Sequence, residues 1–113
     1  MMDERRIDFG ALPWQTPVPG ARFKASQHDQ RRMRLVEFSR GFVEPDWCRK
    51  GHMGYVLSGE MDVDFDGQIV RFSAGDGVAI PAGDENRHKA TVITDVVRLI
   101  LIEDVEQAPG TLR

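Results

Sequence analysis

The chain contains a single cysteine, Cys48, and four residues later His52 stands at the head of an otherwise apolar stretch, HMGYVL. In extended backbone, alternate side chains share a face. His52 therefore falls on one face with Gly54 and Val56, and Cys48 and Asp46 join it if the intervening segment stays extended. A thiolate and an imidazole on one face are ligand types for Zn²⁺ or Fe²⁺ rather than Mg²⁺ or Ca²⁺. The plainer reading is that a lone buried cysteine packs as a small hydrophobe. Other chemistries find no support. No serine lies in a Gly-x-Ser-x-Gly elbow, and "GDG" at 75–77 precedes a strand pattern, not the helix that a phosphate-cradling loop needs. Asp62, Asp64 and Asp66 alternate with Met61, Val63 and Phe65, which makes them the wet face of a half-buried strand and not a loop wrapped around calcium.

The elements that must position these residues are strands. Alternation is dominant and no long face of helical period occurs. Strands are expected near 32–38, 52–57, 61–65, 68–72, 78–80, 88–93 and 96–103. Asp66-Gly67 is a two-residue hairpin signal, since a type I′ turn needs positive φ at both positions. Residues 10–20, GALPWQTPVPG, carry three prolines and read as an extended arm or loop. Seven or so short strands at close spacing predict an all-β antiparallel barrel or sandwich.

The chain's 113 residues fit one domain, with an arm over 1–31, a barrel over 32–105 and a flexible tail over 106–113. A formal net charge of −3 argues against a nucleic-acid partner, which normally requires a basic face. The amino-terminal MMDERRIDFG lacks the apolar core of a signal peptide. The apolar run Val96 to Ile102 is interrupted by Arg98 and too short to cross a bilayer. With one cysteine no internal disulfide can form, and a cytoplasmic, non-membrane protein is expected.

"GYVLSGEMDVDFDG" followed by "FSAGDGVAIPAGDENRH" resembles the small single-domain cupins, jelly-roll barrels of antiparallel strands. Their two motifs are written G-x5-H-x-H-x3/4-E-x6-G and G-x5-P-x-G-x2-H-x3-N. Gly75, Pro81 and Gly83 match the second motif without a gap, and Gly59 closes the first. The resemblance spans about Arg32 to Glu103. Seven residues before Gly59, the family's glutamate position is occupied by His52, and with the shorter spacing its two histidine positions fall on Asp46 and Cys48. The second-motif histidine position falls on Asn86, with His88 two residues beyond. Either residue preserves inward parity; His88 is the favoured one.

The resemblance implies a cavity into which the face bearing His52 looks. Cys48, His52 and His88, with Asp46 or Asn86 as a fourth, would then hold a divalent metal, Zn or Fe ahead of Mn, Ni or Cu. Three protein ligands with an open position is how catalytic metals are held. With Asp46 in place of Cys48, the set would favour non-haem iron. Trp47, Arg49, Lys50 and Glu85 are candidates for the cavity mouth, where the two basic residues would attract an anionic ligand. Arg34 and Arg98 could reach the cavity if strand parity allows. Met53, Tyr55 and Leu57 share the opposite face of their strand and suit the sheet core or a subunit contact. The resemblance also implies a homodimer, with the Pro-rich segment covering an open edge. A metal-dependent enzyme acting on a small molecule is the first functional expectation. A non-catalytic module that binds or senses a small molecule without metal is the alternative, and a structural protein with a filled cavity is the third.

Overall fold

The computed structural model describes residues 3–105; the tail expected over 106–113 lies outside them. All pairing among the described residues is antiparallel. The strands are β1 (Gln15–Val18), β2 (Ala21–His28), β3 (Arg31–Ser39), β4 (His52–Ser58), β5 (Glu60–Asp64), β6 (Ile69–Ser73), β7 (Gly77–Ile80), β8 (Lys89–Val92) and β9 (Val96–Asp104). They form a six-stranded sheet in the order β1-β2-β3-β9-β4-β7 and a three-stranded sheet in the order β6-β5-β8. Short 3₁₀ turns occur at Phe9–Ala11 and Asp84–Asn86. The chain is an all-β jelly roll.

Where strands were expected, strands are found. Asp66 and Gly67 both take positive φ, +58° and +108°, as a type I′ hairpin turn demands. The main difference lies ahead of residue 32. Residues 15–18 and 21–28 are part of the larger sheet, which therefore begins at Gln15 and not at the expected barrel boundary. β1 tolerates Pro17 because it is an edge strand, where a missing N–H costs no ladder bond. β2 pairs with β3 residue for residue, from Ala21↔Phe38 to His28↔Arg31. Residues 9–14 pack back onto β2: Lys24 donates to the Phe9 carbonyl, and Arg22 and Lys24 lie over the Trp14 ring.

Period-two burial sorts the larger sheet into faces. Val97, Leu99, Leu101 and Glu103 of β9 are all buried, as are His52 and Val56 of β4 and Val78 and Ile80 of β7. The apolar ones among these meet Met61 and Val63 of β5 and Ala90 and Val92 of β8 in one core. Burial of such side chains is worth roughly 25 cal/mol per Å² of apolar surface, so the two inner faces hold the sheets together. One residue on the inner face is there for its size. A Cβ at Gly54 would run into the Ile100 carbonyl; its absence lets β4 and β9 approach closely beside His52.

The register orders the inner face in layers. Arg32 pairs with Glu103 and Met53 with Ile102, which puts His52 level with Glu103 at one end. Arg34 and Leu101 come next, then Val36 and Leu99, then Phe38 and Val97. The barrel interior thus grades from charged at one end to apolar at the other.

Candidate functional site

Cys48 and His88 are fixed opposite each other by backbone. The Cys48 N–H donates to the His88 carbonyl at 2.8 Å, and the His88 N–H donates to the Cys48 carbonyl at 2.9 Å. This isolated bridge holds the loop after β3 against the start of β8. His52 opens β4 just beyond, and its ring lies edge-on to that of His88 with centroids 5.3 Å apart. Sγ of Cys48 is 3.5 Å from Nε2 of His52, and one ligand atom from each of the three residues lies within 4.8 Å of the others.

What fixes the rings is behind them. Nδ1 of His88 donates to the Asn86 carbonyl at 3.0 Å. Nδ1 of His52 lies 2.5 Å from Oε2 of Glu103, at an angle too oblique for a directed hydrogen bond, so charge holds the contact. Glu103 is itself 2% exposed at its side chain and is clasped by two guanidiniums. Arg34 donates through Nε and Nη2 at 2.9 and 2.6 Å, and Arg32 through Nη2 at 2.9 Å. Nε2 of His52 is turned towards Cys48, and the His88 ring lies against the same sulfur. A carboxylate or carbonyl behind each imidazole is the arrangement that sets tautomer and orientation in histidine metal ligands.

The electrostatics follow from these contacts. Burial alone would push the Cys48 thiol up, but hydrogen bonds from His52, His88 and the Lys50 backbone bring it down to about 5. Burial works against the charged form of His52 as well, yet Cys48 and Glu103 raise it to about 9. His88 also rises against burial, chiefly through Cys48 and the Asn86 carbonyl. Glu103 is held well below the usual carboxylate range, because its partners His52 and Arg34 outweigh its desolvation. Both shifts favour a thiolate on Cys48 beside an imidazolium on His52.

A cavity of about 570 Å³ opens beside this cluster. Asp46, Trp47, Arg49 and Lys50 line it, as do Cys48, His52 and His88. Trp47 stands at the rim, with Lys89 over its ring at 4.7 Å and Arg87 at 5.7 Å. Two expected residues are not among those that line it. Asn86 and Glu85 belong to the 3₁₀ turn Asp84–Asn86, which carries their side chains out of the site; Glu85 is exposed and Asn86 offers the cluster only its carbonyl oxygen. His88, two residues on, brings its ring to the cluster. Arg34 does reach the cavity, whereas Arg98 lies on the outer face paired with Glu37. Arg32, Glu44 and Glu103 were missed by sequence reasoning. The signal for Glu103 was present: in VRLILIE it continues the parity of Val97, Leu99 and Leu101, so an acid was placed on an apolar face. Glu44 lines the cavity while Oε1 accepts from the Ala90 N–H, and burial pushes its carboxyl up.

Comparisons with known proteins agree with this architecture. Residues 43–103, more than half of the chain, match the Cupin_2 family model, described as a cupin domain. No curated protein matches the chain. Among solved structures, KdgF from Halomonas sp. is 24% identical with a TM-score of 0.71, over 84% of this chain and 87% of that one. An RmlC-like cupin from Shewanella frigidimarina NCIMB 400 is 20% identical with a TM-score of 0.74, over 90% and 91%. The polyketide cyclase RemF from Streptomyces resistomycificus is 19% identical with a TM-score of 0.74, over 96% and 83%. At these identities the likeness is one of fold. No helix among the described residues is long and apolar enough to cross a membrane.

Removing the Glu103 charge gives the sharpest stability test of the site. Glu103→Gln leaves two guanidiniums and an imidazole around a neutral amide in the interior, and a loss of about 3 kcal/mol is expected on urea unfolding. The folded carboxyl titrates below its ordinary value of 4.5. Its contribution is therefore complete above that value and lost as pH falls below it. The wild type should lose stability on acidification through this range, and the variant should lose distinctly less.

Proposed function

The chain belongs to the cupin family, and from that premise we propose that it holds a divalent metal ion through Cys48, His52 and His88 and binds a small molecule in the adjoining cavity. One observation carries the reading: Sγ of Cys48 converges with a ring nitrogen of each of two histidines, His88 anchored at Nδ1 by the Asn86 carbonyl and His52 by its charge contact with Glu103. The donor set fits a metal chemically. Two imidazoles and a thiolate suit Zn²⁺ or Fe²⁺, and the low thiol pKa, about 5, means the sulfur is already in its ligating form. Asp46 is exposed at the rim and falls outside this three-residue set, so the protein supplies three donors and leaves room for a ligand in the cavity, as catalytic sites do. Such an ion supplies Lewis acidity. Glu103 orients His52, and the apolar walls exclude water from whatever is bound. On this reading the protein is a metal-dependent enzyme acting on a small molecule. The second reading is a metal-free binding or sensing module, favoured by the thiolate–imidazolium pair, which is self-sufficient in charge without an ion.

The single free thiol supports a reducing, cytoplasmic setting. The proposed homodimer rests on the outer face of β4, where Met53, Tyr55 and Leu57 are 61%, 50% and 46% exposed in one row. Contiguous exposed apolar surface of this kind marks interaction sites. Light scattering on the purified protein should give twice the chain mass, and Tyr55→Lys should return it to the monomer.

Elemental analysis of protein purified without chelator tests the metal directly. About one equivalent per chain is expected, lost in Cys48→Ala and in His52→Ala, while Glu103→Gln should retain it with affinity lowered about 10- to 100-fold. A wild type that stays metal-free after reconstitution would leave only the second reading.

The pH dependence of metal affinity follows from the same groups. In the metal-free protein His52 keeps its proton up to about pH 9, and a metal must displace it. Cys48 gives up no proton above about pH 5. Metal affinity should therefore rise with pH across the neutral range and level off above about pH 9, with the released protons coming from imidazole. Competition titrations against a chelator at a series of pH values, in unbuffered and buffered medium, read both quantities; a flat profile between pH 6 and 8 contradicts the assignment.

A further inference from the structure

The charge inside the barrel is out of step with the charge of the chain. The protein as a whole has a formal net charge of −3. Its cavity is lined by Arg22, Arg32, Arg34, Arg49 and Lys50 against only Glu44 and Asp46. Two of the cations are spent elsewhere: Arg22 pairs with Glu37 and Arg49 with Asp84. At the mouth Lys50 and Asp46, both exposed, offset each other in charge, while Glu44 is engaged at Oε1 by the Ala90 N–H and burial pushes its carboxyl up, towards the neutral form. What remains is Arg32 and Arg34, two guanidiniums set on one carboxylate, Glu103.

That pair is under-satisfied in a specific way. Each guanidinium carries five N–H donors. Arg34 uses Nε and Nη2 on Glu103, and Arg32 uses Nη2 alone. Nε of Arg32 is buried with no acceptor, a state that costs free energy unless something else completes it. Arg34 is held in place by stacking over the Phe23 ring at 5.0 Å. Glu103 neutralises one of the two positive charges. The other is left beside the cavity, next to His52, whose Nδ1 touches the same carboxylate oxygen that Arg34 binds. Farther in, the lining turns hydrocarbon, with Val36, Phe38, Phe42, Val63 and Leu99.

We propose that the cavity's ligand is a small monocarboxylic acid with an apolar body, its carboxylate seated on Arg32 and Arg34 and its hydrocarbon part lying along the inner walls. A guanidinium fork matches the planar carboxylate. Two guanidiniums that share the single carboxylate of Glu103 suit a monoanion better than a phosphate dianion. The apolar depth disfavours a polyhydroxylated sugar acid, whose hydroxyls would be buried without partners. This inference names the ligand class of the site proposed above and rests on that cavity being a ligand pocket, but not on the metal.

Calorimetric titration of the purified chain with phenylacetate, hexanoate and cyclohexanecarboxylate, each beside its uncharged amide, tests it. Glucuronate and inorganic phosphate serve as polar anions, and metal content is measured on every sample. At least one acid should bind about tenfold or more tighter than its amide, the worth of a charge-assisted hydrogen bond, and tighter than glucuronate or phosphate. Arg32→Gln should bring the acid to the level of the amide and leave the amide unchanged. If that variant does not fold, Arg32→Lys keeps the charge for Glu103 but loses the fork, and should weaken the acid alone by about threefold. Equal affinity of acid and amide, tighter binding of glucuronate or phosphate, equal losses for acid and amide in the variant, or binding of no acid would each overturn the proposal. Acid-selective binding by protein that takes up no metal would sustain it while removing the metal reading. A metal-loaded protein indifferent to acids would do the reverse.

Discussion

Glu103 is the charge on which the polar end of the barrel depends. It sits on β9 between β3 and β4, in register with Arg32 on one side and level with His52 on the other. One buried carboxylate thus serves two guanidiniums and an imidazole drawn from both neighbouring strands. Desolvating any of these four groups alone would cost several kcal/mol. Where they are collected together, the carboxylate offsets part of the positive charge gathered around it, and the geometry that permits this also aims Nε2 of His52 at Cys48. Site and scaffold are therefore not separable here: the ion cluster that closes the end of the sheet is the support of the candidate ligands.

The second support is backbone. Cys48 does not lie in a strand of the larger sheet, and nothing in its side chain would place it. The paired N–H···O bonds with His88 do so, and a second bridge between Val43 and Thr91 anchors the same loop upstream. The loop from 40 to 51 is thereby laid along β8 and brings a thiol to two imidazoles, one from β4 and one from the residue just ahead of β8. A cluster assembled this way has one member on β4, one at the entry of β8 and one on a bridged loop. Its spacing is consequently sensitive to the twist of the barrel and not to any single element.

How much of this could be read from the residues depends on how local the signal was. The strands from residue 31 onward, the Asp66-Gly67 turn and the inward parity of His52 are properties of alternation within a few residues, and they were legible. β2 was not. In ARFKASQH the alternation is between small or aromatic residues and charged ones, without the β-branched run that marks a strand, and Pro17 in β1 argued for a loop. Pairing with β3 overrides both. At the site, Cys48, His52 and His88 were legible from parity and motif position. Asn86 and Glu85 do not line the cavity, because a 3₁₀ turn has no period of two and counting parity through Asp84–Asn86 fails. The Arg32–Arg34–Glu103 group was legible only in hindsight, because it joins residues about seventy positions apart, and pairing across that distance is decided by strand order.

The altered ligand positions can be understood by counting charge. The cupin pattern to which the chain was matched carries histidines and one glutamate, so its donors bring a single negative charge to an ion. Here the glutamate position holds His52, and a histidine position holds Cys48. With the thiol ionised, the form its neighbours favour, Cys48, His52 and His88 would again bring one negative charge to an ion. Only an imidazole has been given up, at the position of Asp46, which now lies exposed at the rim. The carboxylate displaced from the ligand position has a counterpart one layer back, in Glu103, where it holds His52 rather than an ion. Moving the acid behind the imidazole and the anion onto sulfur keeps the electrostatic balance of the pocket while softening its donor set. Such an exchange would favour metals that accept thiolate.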